Sequence, residues 1–433
     1  MEVLKVREPQ ESFEETKSVR AIELKNGEET VIRTSGLSRR KALGLIVGGA
    51  IMVGESKYFL NEAFGQKRRQ GQGAKQPTEQ GSAGDSGQAP PQITKVVRKF
   101  MKDTGTPGVA IVVHESGKDN IYCFGEARTD PASVPVTPDT VFGIGSVTKT
   151  FTGTMLACQV GSGAGFKLED SVLAHLPPAV KKHHNDIDKV TLVMLATHTA
   201  GFPESGVSGE ELFQDKPPGA ELLKWWQDWK YDQKQPLGSH YAYSNVGMIT
   251  LGYAVAGNNY NGLLQQYLCD PLGMRSTAPA AFLPAGLKLG QGHLDKGGRT
   301  VPIQTLNSDL NSSPEDMLLY LKAQLGATKP PATLASAIAL SHREHFKNEG
   351  KPFSMGLGWQ MAKGPTRVYS KNGGTSKGGT GCWIGFAPKE NFGLVVMGNK
   401  FGTGKSSGQS VSSLGVSLFQ ELTGISPTGD TEN

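Results

Sequence analysis

Apolar and polar positions divide this 433-residue chain into an N-terminal part without regular periodicity and a longer part with it. Residues 1–37 are polar and mixed in charge, apart from the strand-like run EETVIRTS, and residues 66–92 contain no large apolar residue. Such a segment cannot bury enough surface to order itself, so we predict a disordered linker over residues 55–92. From residue 93 onward, helical and strand spacings predict a folded domain over 93–425 and a tail at 426–433.

The folded part begins and ends with strand-like patterns. A helical pattern starting at Ile93 precedes β-rich runs at 108–115 and 120–125, which a turn sequence separates. Strand-like runs return near the C-terminus as RVYSKNGG, GCWIGFAP and FGLVVMGNK, before a last helix. The patterns between them are mainly helical. We therefore predict an α+β fold, with an antiparallel sheet formed by N- and C-terminal strands, flanking helices and an inserted all-α region.

A dibasic pair, Arg39 and Arg40, precedes a moderately apolar stretch that ends at Val53. The pattern resembles a twin-arginine export signal, and the stretch is shorter than the roughly 20 residues that span a bilayer as a helix. A dibasic pair before a buried helix is the alternative. We expect residues 38–54 to be a signal or anchor, and the protein to be periplasmic or secreted, or tethered to the membrane by this segment.

Composition narrows the classes of partner. The chain has 45 Lys and Arg against 40 Asp and Glu, a net charge of +5, and no basic block in its main body, which excludes a nucleic-acid footprint. The histidines lack the spacing of a zinc helix, so we predict no metal. We also predict no cofactor, and we expect a monomer. One disulfide is an alternative to the favoured prediction of buried free thiols at the four cysteines, Cys123, Cys158, Cys269 and Cys382.

The first candidate for chemistry lies where a Gly-rich turn leads into an apolar helical run. Ser146 and Lys149 are three residues apart, so they share one face of a helix. Serine is a weak nucleophile until a base takes its proton, and a desolvated lysine beside it can do so. A serine at this place also serves as a simple helix N-cap, and an S-x-x-K spacing is common by chance. Other motifs must therefore decide between the two interpretations.

A second motif, Tyr243-Ser244-Asn245, leads into another helical run. A tyrosine can act as a phenolate or as a hydrogen-bond relay toward a leaving group, and an asparagine can bind a substrate amide. Together with Ser146 and Lys149, these side chains are suited to acyl transfer.

A third motif, Lys371-Asn372-Gly373-Gly374, lies in a predicted edge strand. Lys371 can hold a substrate carboxylate and tune a neighbouring tyrosine, and the two glycines let a substrate approach the strand edge closely. The backbone N–H groups of Ser146 and Gly374 are predicted to form an oxyanion hole.

Together these motifs resemble the serine β-lactamase and penicillin-binding-protein superfamily, and in particular its class C β-lactamase branch. The resemblance covers residues 93–425, including PVTPDTVFGIGSVTKTFTG, ATHTAG, PLGM, SPEDM, MGLGWQM and MGNK. It implies a cofactor-free hydrolase that forms an acyl-enzyme at Ser146, with Lys149 and Tyr243 as its catalytic partners. It also implies that Asn399 and Lys400 help to bind the substrate carboxylate.

The chain departs from the class C pattern in its second and third motifs. Ser244 replaces the usual alanine, and Asn372 replaces the usual threonine. Both changes are predicted to affect substrate recognition and to leave the nucleophile unaffected. Lys377 rivals Lys371 as the strand lysine, and we favour Lys371 because Asn-Gly-Gly-Thr follows it. No class A deacylating acid is present, so the resemblance assigns deacylation to Tyr243 with Lys149.

The resemblance implies a class C-type β-lactamase that hydrolyses the β-lactam amide. The same scaffold carries D-Ala-D-Ala carboxypeptidases, D-aminopeptidases and esterases, so a small β-lactam or a D-alanyl peptide is the expected substrate. A non-catalytic penicillin-recognising module is a further alternative. The intact set of Ser146, Lys149, Tyr243 and Asn245 argues against that alternative, since a degenerate site usually loses one of them.

Overall fold

A computed structural model describes two short strands near the N-terminus and residues 89–182, 186–294, 300–303, 309–375, 377–401 and 409–428. The chain divides into two compact units, residues 1–78 and 79–433. In the first unit, strands β1 (Arg20–Ile22) and β2 (Val31–Arg33) pair in antiparallel fashion. The predicted export segment at 38–54 lies outside the described residues, as does the predicted linker up to residue 88. The predicted domain bounds stay predictions.

The second unit supplies the strands of the main sheet and two smaller sheets, which are β3 (Gly108–Glu115), β4 (Lys118–Arg128), β5 (Val134–Pro135), β6 (Phe142–Gly143), β7 (Ala278–Pro279), β8 (Gln291–His293), β9 (Thr300–Pro302), β10 (Leu310–Ser312), β11 (Phe353–Met355), β12 (Gln360–Ala362), β13 (Tyr369–Thr375), β14 (Thr380–Ala387) and β15 (Phe392–Gly398). Its α-helices are α1 (Pro91–Thr104), α2 (Thr148–Gly161), α3 (Pro178–Lys181), α4 (Leu192–Ala196), α5 (Ala220–Asp228), α6 (Asn245–Ala256), α7 (Tyr260–Leu264), α8 (Asp270–Leu272), α9 (Pro314–Leu325), α10 (Ala332–Ser341) and α11 (Val411–Thr423). Within the described parts of the chain, none of the helices is long and apolar enough to cross a bilayer.

The main sheet has eight strands in the order β11-β12-β13-β14-β15-β3-β4-β5, and every neighbouring pair is antiparallel. The first strand of the domain joins the last, because β3 pairs with β15 over their full length, from Phe392↔Glu115 to Gly398↔Val109. This confirms the predicted α+β fold. Most of the helices come from the chain between β6 and β11.

The sheet buries both of its faces. Alternate residues of β3 enter different cores: Val109, Ile111 and Val113 pack with α1 and α11, whereas Ala110 and Val112 pack with α2 and α9. Burying one such Val or Ile side chain contributes about 1.5–3 kcal/mol to folding. The near-continuous apolar run of β3 is therefore explained by helices on both sides.

Helix α2 is buried along almost its whole length, from Thr148 to Gln159. Its side chains contact the main sheet on one side and helices such as α6 and α10 on others. The mostly apolar sequence after Lys149 reflects this central position. The turn that precedes α2 is thereby held at one end of the sheet, next to β13.

All four cysteines are free and buried, which confirms the favoured prediction. Burial raises the pKa of the Cys123 and Cys158 thiols to about 12. All four belong to the core on the α2 side of the sheet, and none belongs to the core under α1 and α11.

Candidate active site

Ser146 lies in a short 3₁₀ turn, Gly145–Val147, between β6 and α2. Gly145 has a φ of +51°, and a Cβ built on it would lie 2.2 Å from the Gly374 nitrogen, so the turn requires glycine. The N-cap position of α2 is Val147, and no side chain caps this helix. The interpretation of Ser146 as a simple N-cap therefore finds no support in its contacts.

The hydroxyl of Ser146 instead bonds to two functional groups. Lys149 Nζ donates a hydrogen bond to Ser146 Oγ over 2.8 Å, and Tyr243 Oη lies 2.7 Å from the same oxygen. Lys149 is only 6% exposed, so its amine is held close to the serine in a desolvated setting. The structure thus brings together the three predicted catalytic residues, which span 97 positions of the chain.

Lys371 is buried beside the same tyrosine. Its Nζ lies 4.9 Å from the centroid of the Tyr243 ring, and Lys149 Nζ lies 5.2 Å from it. Burial, and next the positive charge of Lys149, lower the pKa of Lys371 to about 7. The rival Lys377 is exposed in the turn between β13 and β14 and does not line the cleft. Lys371 is therefore the strand lysine that faces the site.

The strand that carries Lys371 has one open edge. Strand β13 pairs with β14 from Tyr369 to Thr375, but among the described strands it pairs with β12 only at Tyr369 and Ser370. The open part of the strand touches the serine turn, because a Cβ on Gly373 would lie 2.1 Å from the Ile144 carbonyl oxygen. Glycine is required for this approach, which sets the backbone of Gly374 beside the Ser146 turn.

Between these elements lies a cleft of about 540 Å³. Six of its lining residues are predicted site residues, namely Ser146, Tyr243, Asn245, Lys371, Gly373 and Gly374. Sequence reasoning missed four others as site residues, namely Glu204, Tyr241, Gln360 and Phe401. Glu204 and Phe401 follow the recognised motifs ATHTAG and MGNK, Tyr241 lies two residues before Tyr243, and Gln360 lies inside MGLGWQM. Their nearness to recognised motifs is the signal that could have found these four residues.

Asn399 lies apart from the cleft lining and is fully buried. Its Oδ1 accepts a hydrogen bond from the Gly108 N–H over 2.8 Å, and its Nδ2 donates to the Glu126 carbonyl over 2.8 Å. These bonds tie the end of β15 to β3 and β4. The contacts give Asn399 a structural role and offer no free amide for the predicted bond to a substrate carboxylate.

Ser244 also points away from the cleft. It is the N-cap of α6, where its Oγ accepts from the Gly247 N–H over 2.8 Å and donates to the Pro203 carbonyl over 2.6 Å. The replacement of alanine by serine thus adds a helix cap, whereas the sequence predicted an effect on substrate recognition. Asn372 does line the cleft and is exposed there.

The ring of His198 packs against the ring of Tyr243. It is buried, its ring centroid lies 4.7 Å from that of Tyr243, and its Nδ1 accepts the Ser244 N–H over 3.2 Å. Burial, followed by the charges of Lys371 and Lys149, holds the pKa of His198 well below its ordinary value of 6.5. A neutral imidazole therefore packs against Tyr243, and it adds no third positive charge to the site.

A serine bonded to a lysine and a tyrosine, beside an open strand edge, defines a serine hydrolase. The family model described as Beta-lactamase matches residues 93–409, and the chain belongs to this family. Over the described residues, no group of three or more His, Cys, Asp or Glu side chains could hold a metal ion.

Similar proteins agree with this assignment. A β-lactamase of Pseudomonas fluorescens is 25% identical over 353 residues, which cover 71% of this chain and 92% of the relative. A class C β-lactamase structure in complex with cefoxitin has a TM-score of 0.65 at 24% identity, covering 76% of this chain and 98% of the other. A β-lactamase/D-alanine carboxypeptidase of Pseudomonas syringae has a TM-score of 0.60 at 23% identity, covering 71% and 93%. These two structural likenesses establish the fold.

Proposed function

We propose that this protein is a class C-type serine β-lactamase that hydrolyses the β-lactam amide through an acyl-enzyme at Ser146. The observation that carries the proposal is the position of Ser146 Oγ between Lys149 Nζ and Tyr243 Oη. The β-lactamase names of the relatives support the substrate class.

Hydrogen-bond directions suggest the path of the serine proton. Since Lys149 donates to Ser146 Oγ, the hydroxyl proton is directed toward Tyr243 Oη. Oγ then forms a bond to the β-lactam carbonyl carbon, the C–N bond breaks, and the proton passes through Tyr243 to the departing nitrogen. Positive charge on Lys149 and Lys371, near the Tyr243 ring, favours the negative charge that develops during this transfer.

Residues on both sides of the cleft hold the substrate in this scheme. The N–H groups of Ser146 and Gly374 stabilise the oxyanion, Asn245 binds the amide of the acyl side chain, and protonated Lys371 attracts the substrate carboxylate. Deacylation reverses the first step with water as the nucleophile: Tyr243, next to Lys149, takes a proton from water, and the ester C–O bond to Ser146 breaks as that oxygen regains a proton.

The test is a time course of nitrocefin hydrolysis by the full chain, with intact-mass analysis of the protein. We expect repeated turnover in the unaltered protein and loss of both turnover and adduct in Ser146→Ala. Ser162→Ala, at the other end of α2, is the matched control and should keep both. Absence of turnover and adduct in the unaltered protein would contradict the proposal.

The same measurement separates the main alternative, which is favoured by the likeness to the Pseudomonas syringae β-lactamase/D-alanine carboxypeptidase. A stable adduct on Ser146 without turnover, together with release of D-alanine from a D-Ala-D-Ala peptide, would identify a carboxypeptidase that β-lactams inhibit.

We also propose that residues 38–54 direct export. Arg39 and Arg40 before the apolar stretch support this proposal. Cell fractionation of the full chain should place it outside the cytoplasm, whereas the double variant Arg39→Lys, Arg40→Lys should accumulate inside. Equal distribution of the two proteins would contradict it.

A further inference from the structure

Glu204 is the one carboxylate among the residues that line the cleft. It is exposed, and among the described residues its carboxylate has neither a hydrogen bond nor an ion pair. The proposed acylation and deacylation steps make no use of it. An unpartnered charge at the edge of a substrate cleft is available for a ligand.

The position of Glu204 is fixed by the second motif. Ser244 Oγ donates to the carbonyl of Pro203, and the Asn245 N–H donates to the carbonyl of Glu204 over 3.0 Å. Just before them, Phe202 is buried against the rings of Trp225 and Trp229. The chain is therefore anchored at Glu204 itself and at the two residues before it, and Glu204 belongs to a fixed segment of the cleft lining.

The cleft is electrically asymmetric. Lys371, with Lys149 nearby, supplies positive charge in its depth, and Glu204 supplies a negative charge on the segment bonded to Asn245. The other lining residues are Ser, Tyr, Asn, Gln, Gly and Phe. This arrangement is complementary to a zwitterion whose carboxylate lies near Lys371 and whose cation lies near Glu204.

We propose that Glu204 selects substrates whose acyl side chain carries an ammonium group. The inference rests on the proposed function, in which Asn245 binds the amide of the acyl side chain, because Glu204 is bonded to the backbone of that residue. The substrate class is thereby narrowed to α-amino acyl donors, such as aminopenicillins or D-aminoacyl derivatives.

Three penicillins isolate this effect, because they differ only at one carbon of the acyl side chain. Benzylpenicillin carries hydrogen there, ampicillin an ammonium group and carbenicillin a carboxylate. The measured quantity is the second-order rate constant for acylation of Ser146, followed by intact mass at low ionic strength. Ratios between the penicillins, compared between proteins, cancel their differences in intrinsic reactivity.

In Glu204→Gln, we expect the ampicillin-to-benzylpenicillin ratio to fall about threefold to fivefold and the ampicillin-to-carbenicillin ratio to fall about tenfold, since one exposed charge is removed. The matched control Glu210→Gln removes an exposed carboxylate outside the cleft lining and should leave both ratios unchanged. Raising the salt to about 1 M, where the Debye length is about 3 Å, should lower both ratios in the unaltered protein toward those of the variant.

Equal ratios in the unaltered protein and in Glu204→Gln would overturn the inference while leaving the proposed function intact. If no penicillin acylates Ser146, the β-lactamase proposal fails, and the same comparison is made with p-nitrophenyl esters of D-phenylglycine and of N-acetyl-D-phenylglycine. A preference for the free amine that Glu204→Gln removes would then support the inference without the β-lactamase proposal. Equal rates for the two esters in both proteins, or no acylation by either ester, would overturn it.

Discussion

The cleft has a helical wall, formed by the Ser146 turn, Lys149 and Tyr243, and a strand wall, formed by residues 371–374 of β13. On the helical wall, the polar atoms satisfy one another through bonds of 2.7 and 2.8 Å. On the strand wall, Lys371 is buried without a carboxylate partner among the described residues. None of the described strands pairs with this edge of β13 beyond Ser370. The polar groups of the helical wall therefore have hydrogen-bond partners without a ligand. On the strand wall, a bound ligand would supply the partners of Lys371 and of the strand edge.

The two walls therefore differ in how they affect the activity, the folding stability and the substrate affinity of the protein. Preassembled hydrogen bonds fix the geometry of the nucleophile before substrate arrives. A buried cation without a partner destabilises the folded chain, and a bound carboxylate offsets this cost. The lower stability of the free protein is therefore matched by a higher affinity for a ligand that carries a carboxylate. Substitutions on the helical wall should therefore reduce activity with little change in stability, whereas those on the strand wall should change both.

The largest expected effect is on the helical wall. Tyr243→Phe removes the oxygen that, among the described residues, is placed to take the serine proton, so kcat/KM for nitrocefin should fall by about 10²–10⁴-fold. The melting temperature should change little, because the ring and its contact with His198 are kept. Tyr231→Phe, outside the cleft lining, is the control for loss of a phenol. A decrease of less than fivefold in Tyr243→Phe would show that Lys149 alone accepts the proton.

Lys371→Met tests the strand wall. Loss of the charge-assisted contact should lower kcat/KM for carboxylate-bearing substrates by about 10–100-fold. The pKa of Lys371 is lowered from 10.5 to about 7, so the unfolded chain binds more protons than the folded chain between these values. The variant should therefore gain stability, on the order of 2 kcal/mol or more below pH 7, and the gain should shrink as pH rises toward 10.5.

Chemical denaturation at several pH values measures this gain, and Lys377→Met, which removes the exposed lysine, is the control. A less stable Lys371→Met protein at pH 6 would show that the strand wall, like the helical one, is satisfied without ligand.

The smallest effect is expected from substitution of Ser244, which follows Tyr243 and caps α6. Ser244→Ala introduces the residue usual in class C enzymes but removes the cap of α6, so the free energy of unfolding should fall by about 1–2 kcal/mol. Turnover of nitrocefin should stay within about twofold, since Ser244 does not line the cleft. Ser244→Thr keeps the hydroxyl and should retain stability. A large change in turnover with unchanged stability would return Ser244 to the recognition residues.

Local spacing explains why the helical wall was largely predictable. Ser146 and Lys149 are one helical turn apart, so their proximity follows from secondary structure alone. The joining of the first and last strands was also predictable, from the apolar runs at both ends of the domain. The structural roles of Asn399 and Ser244 were not predictable, because a buried side chain that bonds to the backbone and one that is aimed at a ligand look the same in sequence. Glu204 was missed because, although it closely follows ATHTAG, the sequence does not show the bond from the Asn245 N–H to its carbonyl, which holds it beside the second motif.

The placement of the four thiols gives the protein an internal reporter of partial unfolding. A buried, protonated thiol does not react with alkylating reagents, so labelling requires that its surroundings open. Because every cysteine lies in the core on the α2 side of the sheet, timed alkylation follows the opening of that core, which supports Ser146, and is blind to movements of α1 and α11 on the opposite face. Peptide mapping of the labelled sites would then show whether the surroundings of the four cysteines in this core open together or separately.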